Sequence, residues 1–158
     1  MSDSNDAAST GDGVSLSSEC LEFCAKVRKN DPSILPEVGK PFKIRRMRER
    51  EGMELADALL ENTSLTYLQL ETGEYTKNSA EAMAKYVRTS KRLQRICLNR
   101  RWNSDDRALR LSEEILCCLL PAIQESTSLN ELEINFPLRG GQSNLALENM
   151  LMHSQSLR

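Results

Sequence analysis

The chain is predicted to be a right-handed α/β solenoid, a stack of helix–strand units whose strands form one short parallel sheet. Two observations predict this. First, one phrase recurs in register: Ala-Leu-Leu-Glu-Asn-Thr-Ser-Leu-Thr-Tyr-Leu-Gln-Leu at 58–70, Tyr-Val-Arg-Thr-Ser-Lys-Arg-Leu-Gln-Arg-Ile-Cys-Leu at 86–98, and Ala-Ile-Gln-Glu-Ser-Thr-Ser-Leu-Asn-Glu-Leu-Glu-Ile at 122–134. A fourth copy, Met-Leu-Met-His-Ser-Gln-Ser-Leu-Arg at 150–158, stops where its strand would start. Second, the leucines that join the two halves, Leu65, Leu93, Leu129 and Leu157, are 28, 36 and 28 residues apart. A near-constant period of this size is the mark of stacked repeats, in which each unit buries its apolar helix face only against its neighbours.

The elements follow in order. Residues 1–16 are rich in Ser, Asp, Gly and Ala and are expected to form a disordered tail, because they bury too little apolar surface to offset ordering entropy. Residues 17–48 are an N-terminal helix and loop, either a cap or a degenerate first repeat. Leu21, Cys24 and Val27 form a helical stripe over 17–29, Ser17 or Ser18 can cap it, and Asn30-Asp31-Pro32 ends it. A short strand is expected near 42–45. The repeat region is 49–158, with helices over 50–62, 78–89, 111–125 and 144–153 and strands at 65–70, 93–98 and 129–134. Pro121 is expected to kink or split the third of these helices. The eight residues that lengthen the middle interval fit Arg100–Arg107, a loop insertion. The last repeat is incomplete, which predicts an uncapped C-terminal end. Such an end invites self-association or pairing with another protein.

Bulk properties exclude several functions. Aromatics make up only 4% of the 158 residues, so the core must be aliphatic. The formal charge is −2, unevenly spread: residues 40–110 hold sixteen basic and ten acidic side chains, whereas 111–158 hold two basic and six acidic. Five cysteines without a Cys-x-x-Cys pair, and a single His153, support neither a zinc site nor a disulfide framework. Reduced thiols fit the cytoplasm, with the nucleus as an alternative. No apolar run is long enough to span a membrane.

The repeated frame Ala-Leu-x-x-Asn-x-x-Leu-x-x-Leu-x-Leu at 58–70, with looser copies at 86–98 and 122–134, resembles the leucine-rich repeat family, in particular its ribonuclease-inhibitor-like class of 28-residue units. The resemblance covers about residues 50–158. It implies a non-catalytic scaffold that binds a protein partner on its concave strand face, and it admits a regulator of a GTPase or a hydrolase. The family's usual Asn or Cys after each strand is replaced by Gly73, Arg101 and Pro137, so irregular turns are expected there.

Strand alternation sends Leu68 and Leu70, Ile96 and Leu98, and Leu132 and Ile134 to the core, and leaves three outward rows. These are Tyr67, Arg95 and Glu131; Gln69, Cys97 and Glu133; and Glu71, Asn99 and Asn135. They are the candidate partner-binding residues of the concave face. Arg95 is placed to pair with Glu131 and to stack on Tyr67, and Cys97 is expected to be the more exposed thiol. The bland reading is a solvated sheet face, whose ion pair would contribute ~0–1 kcal/mol. The run Lys43–Arg50 and the group Arg100-Arg101-Trp102 suggest a targeting or nucleic-acid patch. They equally suit a solvated loop, and Glu49 and Glu51 weaken the basic character. No phosphate-binding loop, triad or metal cluster is legible, so no catalytic, metal or cofactor residue is assigned.

Overall fold

The computed structural model describes residues 16–37, 39–44, 49–71, 76–99, 106–154 and 156–157, with 106–111 described by their backbone alone. Among the described residues, nine elements alternate along the chain: α1 (Ser18–Arg28), β1 (Phe42–Ile44), α2 (Glu49–Glu61), β2 (Tyr67–Glu71), α3 (Lys77–Thr89), β3 (Arg95–Asn99), α4 (Asp106–Glu125), β4 (Glu131–Asn135) and α5 (Gly141–His153). The strands lie in the order β1-β2-β3-β4, each neighbouring pair parallel. The helices pack in the same order, each against the next. This is the α/β solenoid the repeated phrase predicts. The expected tail, the basic residues 45–48 and the 100–105 loop with Trp102 lie outside the described residues.

The core forms between the helix row and one face of the sheet. Phe42, Ile44, Leu68, Leu70, Ile96 and Leu98 are almost fully buried there, with Leu59, Val87 and Ile123 from the helices. Each such side chain contributes roughly 1.5–3 kcal/mol of transfer free energy. Leu132 and Ile134, expected in the same layer, are only half-buried. The reason is positional: among the described residues β4 is the last strand of the sheet, and no further strand flanks it.

The strands begin two residues later than the leucine pattern suggests. In each unit the joining leucine sits in a turn, where its N–H is bound by a side chain from three residues earlier. Asn62 Oδ1 accepts from Leu65 N at 2.9 Å, Ser90 Oγ from Leu93 N at 3.2 Å, Ser126 Oγ from Leu129 N at 3.3 Å and Ser154 Oγ from Leu157 N at 3.3 Å. Such local bonds divert the backbone from the strand ladder until the turn is complete. Consecutive turns are also tied to one another. Ser128 Oγ donates to the Ser90 and Leu93 carbonyls at 2.7 and 2.9 Å, and Ser156 Oγ donates to the Ser126 carbonyl at 2.9 Å. Asn62, itself buried, donates to the Val27 carbonyl at 2.7 Å and so joins the second turn to the end of α1.

Two further expectations are corrected. α4 starts at Asp106 rather than at 111, and it runs through Pro121 without splitting. Ala122 and Ile123, just beyond the proline, are fully buried, so packing holds the last turn that propensity alone would release. Leu21 on α1, which the sequence places in the helical stripe, is 46% exposed, and Met53 and Leu60 on α2 are also more than a third exposed. At the N-terminal end Phe23 stacks on Phe42, with centroids 5.9 Å apart, and seals β1 beneath α1.

Candidate functional site

Among the described residues, the helices cover one face of the sheet and leave the other open. Strand register sets three rows across that open face. Tyr67 lies opposite Arg95, and Arg95 opposite Glu131; Gln69, Cys97 and Glu133 form the next row, joined by Lys43; Glu71, Asn99 and Asn135 form the third. All nine residues proposed from the period thus occupy the positions the alternation assigns. Their burial differs from residue to residue, and the differences are informative.

Arg95 is the hub. Its guanidinium carbon lies 4.5 Å from the centroid of the Tyr67 ring. Its Nη2 donates to Glu133 Oε2 at 3.0 Å, and its Nε lies 3.2 Å from Glu131 Oε2. The Nε–H is buried and makes no hydrogen bond, so the approach to Glu131 is an ionic contact only. The pairing with Glu131 and the stacking on Tyr67 were expected from neighbouring strands. Glu133 was not, because it sits one row away; a long side chain reaches that diagonal position across a strand pair.

A second set of bonds extends the network. Asn135 Nδ2 donates to Glu133 Oε1 at 2.8 Å and to Asn99 Oδ1 at 2.8 Å, and the Cys97 thiol donates to Asn99 Oδ1 at 3.4 Å. The electrostatics follow from these contacts. The hydrogen bond from Asn135, aided by Arg95, holds the Glu133 carboxyl below its ordinary range. The bond to Glu133 raises Arg95 further, and burial raises the Tyr67 phenol.

Cys97 corrects an expectation. It was read as the more exposed thiol, yet it is 2% exposed, and burial pushes its pKa up. Its outward direction is right; the long side chains of Tyr67, Arg95 and Glu133, which all interact with it, enclose the small one between them. Cys97 therefore belongs to the floor of the face and not to its surface. Cys117 and Cys118 are both half-exposed on α4.

Beyond this face the described residues offer little chemistry. A cavity of about 620 Å³ opens on the helix side between α4 and the start of α5, bordered by Lys77, Glu113, Cys117, Cys118 and Gln142. Glu113 there is already engaged, accepting from the Gly140 N–H at 2.8 Å and the Ser143 hydroxyl at 3.1 Å. His153 Nδ1 lies 2.7 Å from the Asn149 carbonyl, within hydrogen-bond distance. Among the described residues no group of three or more His, Cys, Asp and Glu is placed to hold a metal ion, and no helix is long and apolar enough to cross a membrane.

The alternating helix–strand unit, the all-parallel sheet in chain order and the one open sheet face define a leucine-rich-repeat-like α/β solenoid. Comparison with protein-family models and with curated protein sequences finds no match. Among solved structures, leiomodin-1 actin-binding site 2 is similar, with a TM-score of 0.46 and 19% identity over 84% of this chain and 87% of that one.

The residues that sequence reasoning missed are the structural ones of the turns. Asn62, Ser90, Ser126 and Ser154 stand three residues before each joining leucine, and Ser128 and Ser156 directly precede two of them. The recurrence of small oxygen-bearing side chains at one repeat position was the available signal.

Proposed function

We propose that this protein is a non-catalytic interaction module that binds a protein partner on the open face of its sheet, in the manner of the ribonuclease-inhibitor-like class of leucine-rich repeats. One observation carries the reading. A Tyr–Arg pair stands at the centre of a sheet face that the described residues leave uncovered, with its side chains already in contact, Arg95 against Tyr67 on one side and between Glu131 and Glu133 on the other. Tyr and Arg are the types that dominate interface hot spots, and a side chain held in place before binding loses less entropy on complex formation. Gln69, Glu71, Asn99 and Asn135 frame the pair, with Cys97 beneath. The five cysteines, odd in number and without a Cys-x-x-Cys pair, fit a reducing compartment such as the cytoplasm or the nucleus.

The test is affinity capture from native lysate with the wild-type chain, Tyr67→Ala and Arg95→Ala in parallel, each checked for native circular dichroism. A protein held by the wild type and lost by both folded variants supports the reading. An unchanged captured set overturns it.

A further inference from the structure

One repeat position ties each turn to the turn before it, and one turn lacks the tie. The residue directly before the joining leucine is Ser64, Arg92, Ser128 or Ser156. Ser64 Oγ donates to Asn30 Oδ1 at 3.0 Å, Ser128 Oγ to the Ser90 and Leu93 carbonyls, and Ser156 Oγ to the Ser126 carbonyl. Arg92 breaks the series. Its backbone N–H bonds to Ser90 Oγ at 3.4 Å, but its side chain makes no tie to the preceding turn. Among the described residues, neither Arg92 nor its neighbour Lys91 has an ion pair.

The missing tie coincides with a gap. A pocket of about 360 Å³ lies between the turns at Leu65 and Leu93, with Leu59, Leu60 and Tyr86 as apolar walls and Thr63, Lys91 and Arg92 on its polar side. It belongs to the interior of the stack, where α2 packs on α3. Tyr86 is 1% exposed, and its buried hydroxyl has no hydrogen-bond partner. The hydroxyl approaches Ser90 without completing a bond, and Ser90 Oγ already accepts the Arg92 and Leu93 N–H groups. Burial pushes the phenol up to about 12, so it keeps its proton and remains a donor. An unmatched donor in a buried wall is costly, and a ligand oxygen relieves that cost.

Charge selects the ligand. Two adjacent cations that nothing in the described chain neutralises favour an anion, and a guanidinium suits a carboxylate or phosphate in particular. Thr63 Oγ1 accepts from Asn30 Nδ2 at 3.2 Å, which leaves its own O–H to donate. We propose that this pocket binds a small organic anion, an aryl phosphate or carboxylate, with its head on Arg92 and Lys91 and its ring on Leu59 and Leu60. The Tyr86 hydroxyl donates to the innermost oxygen of the head. The volume lies at the small end of ligand pockets and admits a ring rather than a long chain. The site is apart from the open sheet face, so it stands or falls independently of protein capture there.

The probes are phenyl phosphate and benzoate, titrated into the full chain by NMR, with inorganic phosphate and phenol beside them. At least one of the two aryl anions is expected to shift the Ser90, Lys91 and Arg92 amides saturably and to bind more tightly than phosphate or phenol. Arg92→Ser places in this turn the residue that the other three turns carry, and Tyr86→Phe keeps the ring and removes only the hydroxyl. Both variants are expected to fold and to bind about tenfold more weakly, as loss of a hydrogen bond to a charged group does. Four results would each overturn the proposal: no saturable shift with either aryl anion, equal binding of inorganic phosphate, equal binding of phenol, or full affinity in either folded variant. Equal binding of phosphate would reduce the site to surface ion pairing, and equal binding of phenol would leave the two cations without a role.

Discussion

The carboxylate of Glu113 on α4 caps a helix to which it does not belong. It accepts the Gly140 N–H at 2.8 Å, at the start of α5, where Gly140 has no side chain of its own to offer. The Ser143 hydroxyl donates to the same oxygen. The bond from Gly140, with those from Arg139 and Ser143, holds the Glu113 carboxyl below its ordinary 4.5. An anion at a helix N-terminus is favoured by the unpaired N–H groups and the helix dipole.

Glu113→Ala is therefore expected to destabilise the protein by roughly 0.5–2 kcal/mol at neutral pH, the usual cost of losing an N-cap acceptor. Because the folded value lies below the unfolded one, the contribution is full above about 4.5 and is lost as pH falls through the lowered folded value. Urea unfolding of wild type and variant should show a gap at pH 7 that narrows at pH 3. A gap independent of pH would refute the linkage.

Asn62 provides a second test. Asn62→Ala leaves the Leu65 N–H and the Val27 carbonyl without their buried partner, at a cost of about 1–3 kcal/mol each. Asn62→Ser restores the acceptor that Ser90 and Ser126 supply in later turns and does not reach Val27. Stability measured by denaturant melts should fall in the order wild type, Asn62→Ser, Asn62→Ala.

Arg95→Ala should change charge states more than stability. The ion pairs it removes are about two-fifths exposed or more, and such pairs contribute on the order of 0–1 kcal/mol. The Glu133 carboxyl should move up toward its ordinary value, though Asn135 continues to hold it partly down. An NMR titration of the Glu133 side chain reads this directly.

Thiol reactivity should rank by enclosure. Cys20, Cys117 and Cys118 are partly exposed, whereas Cys24 and Cys97 are buried, and burial pushes Cys24 up to about 12. In the native state a maleimide is expected to label the first three well before the other two. Arg95→Ala should release Cys97 selectively, leaving Cys24 silent.

The strand register was fully legible because side-chain direction in a strand has period two and any slip would have buried Tyr67 or exposed Leu68. Row membership followed from it, and with it the Arg95–Glu131 contact. What alternation does not contain is side-chain reach. Arg95 extends to Glu133 in the next row, and the same long chains roof over Cys97, so direction alone misjudged its exposure. Strand starts were misplaced for a related reason. A leucine pattern reports burial, and Leu65, Leu93 and Leu129 are buried as turn residues, held by side-chain oxygens that hydrophobicity does not register. The continuity of α4 through Pro121 was hidden because it depends on the packing of Ala122 and Ile123, which is not local.

The unequal ties among the helices also set an order of events on heating. In a linear stack each unit is held only by its neighbours, so loss of structure travels inward from whichever terminus is weaker. Arg28 reaches from α1 to Glu54 and Glu61, and Asn62 reaches back to Val27, so the first units are cross-tied. α5 lacks a side-chain cap of its own and rests on half-buried neighbours. Among the described elements, α5 should therefore exchange its amide protons before the α1–α2 joint does.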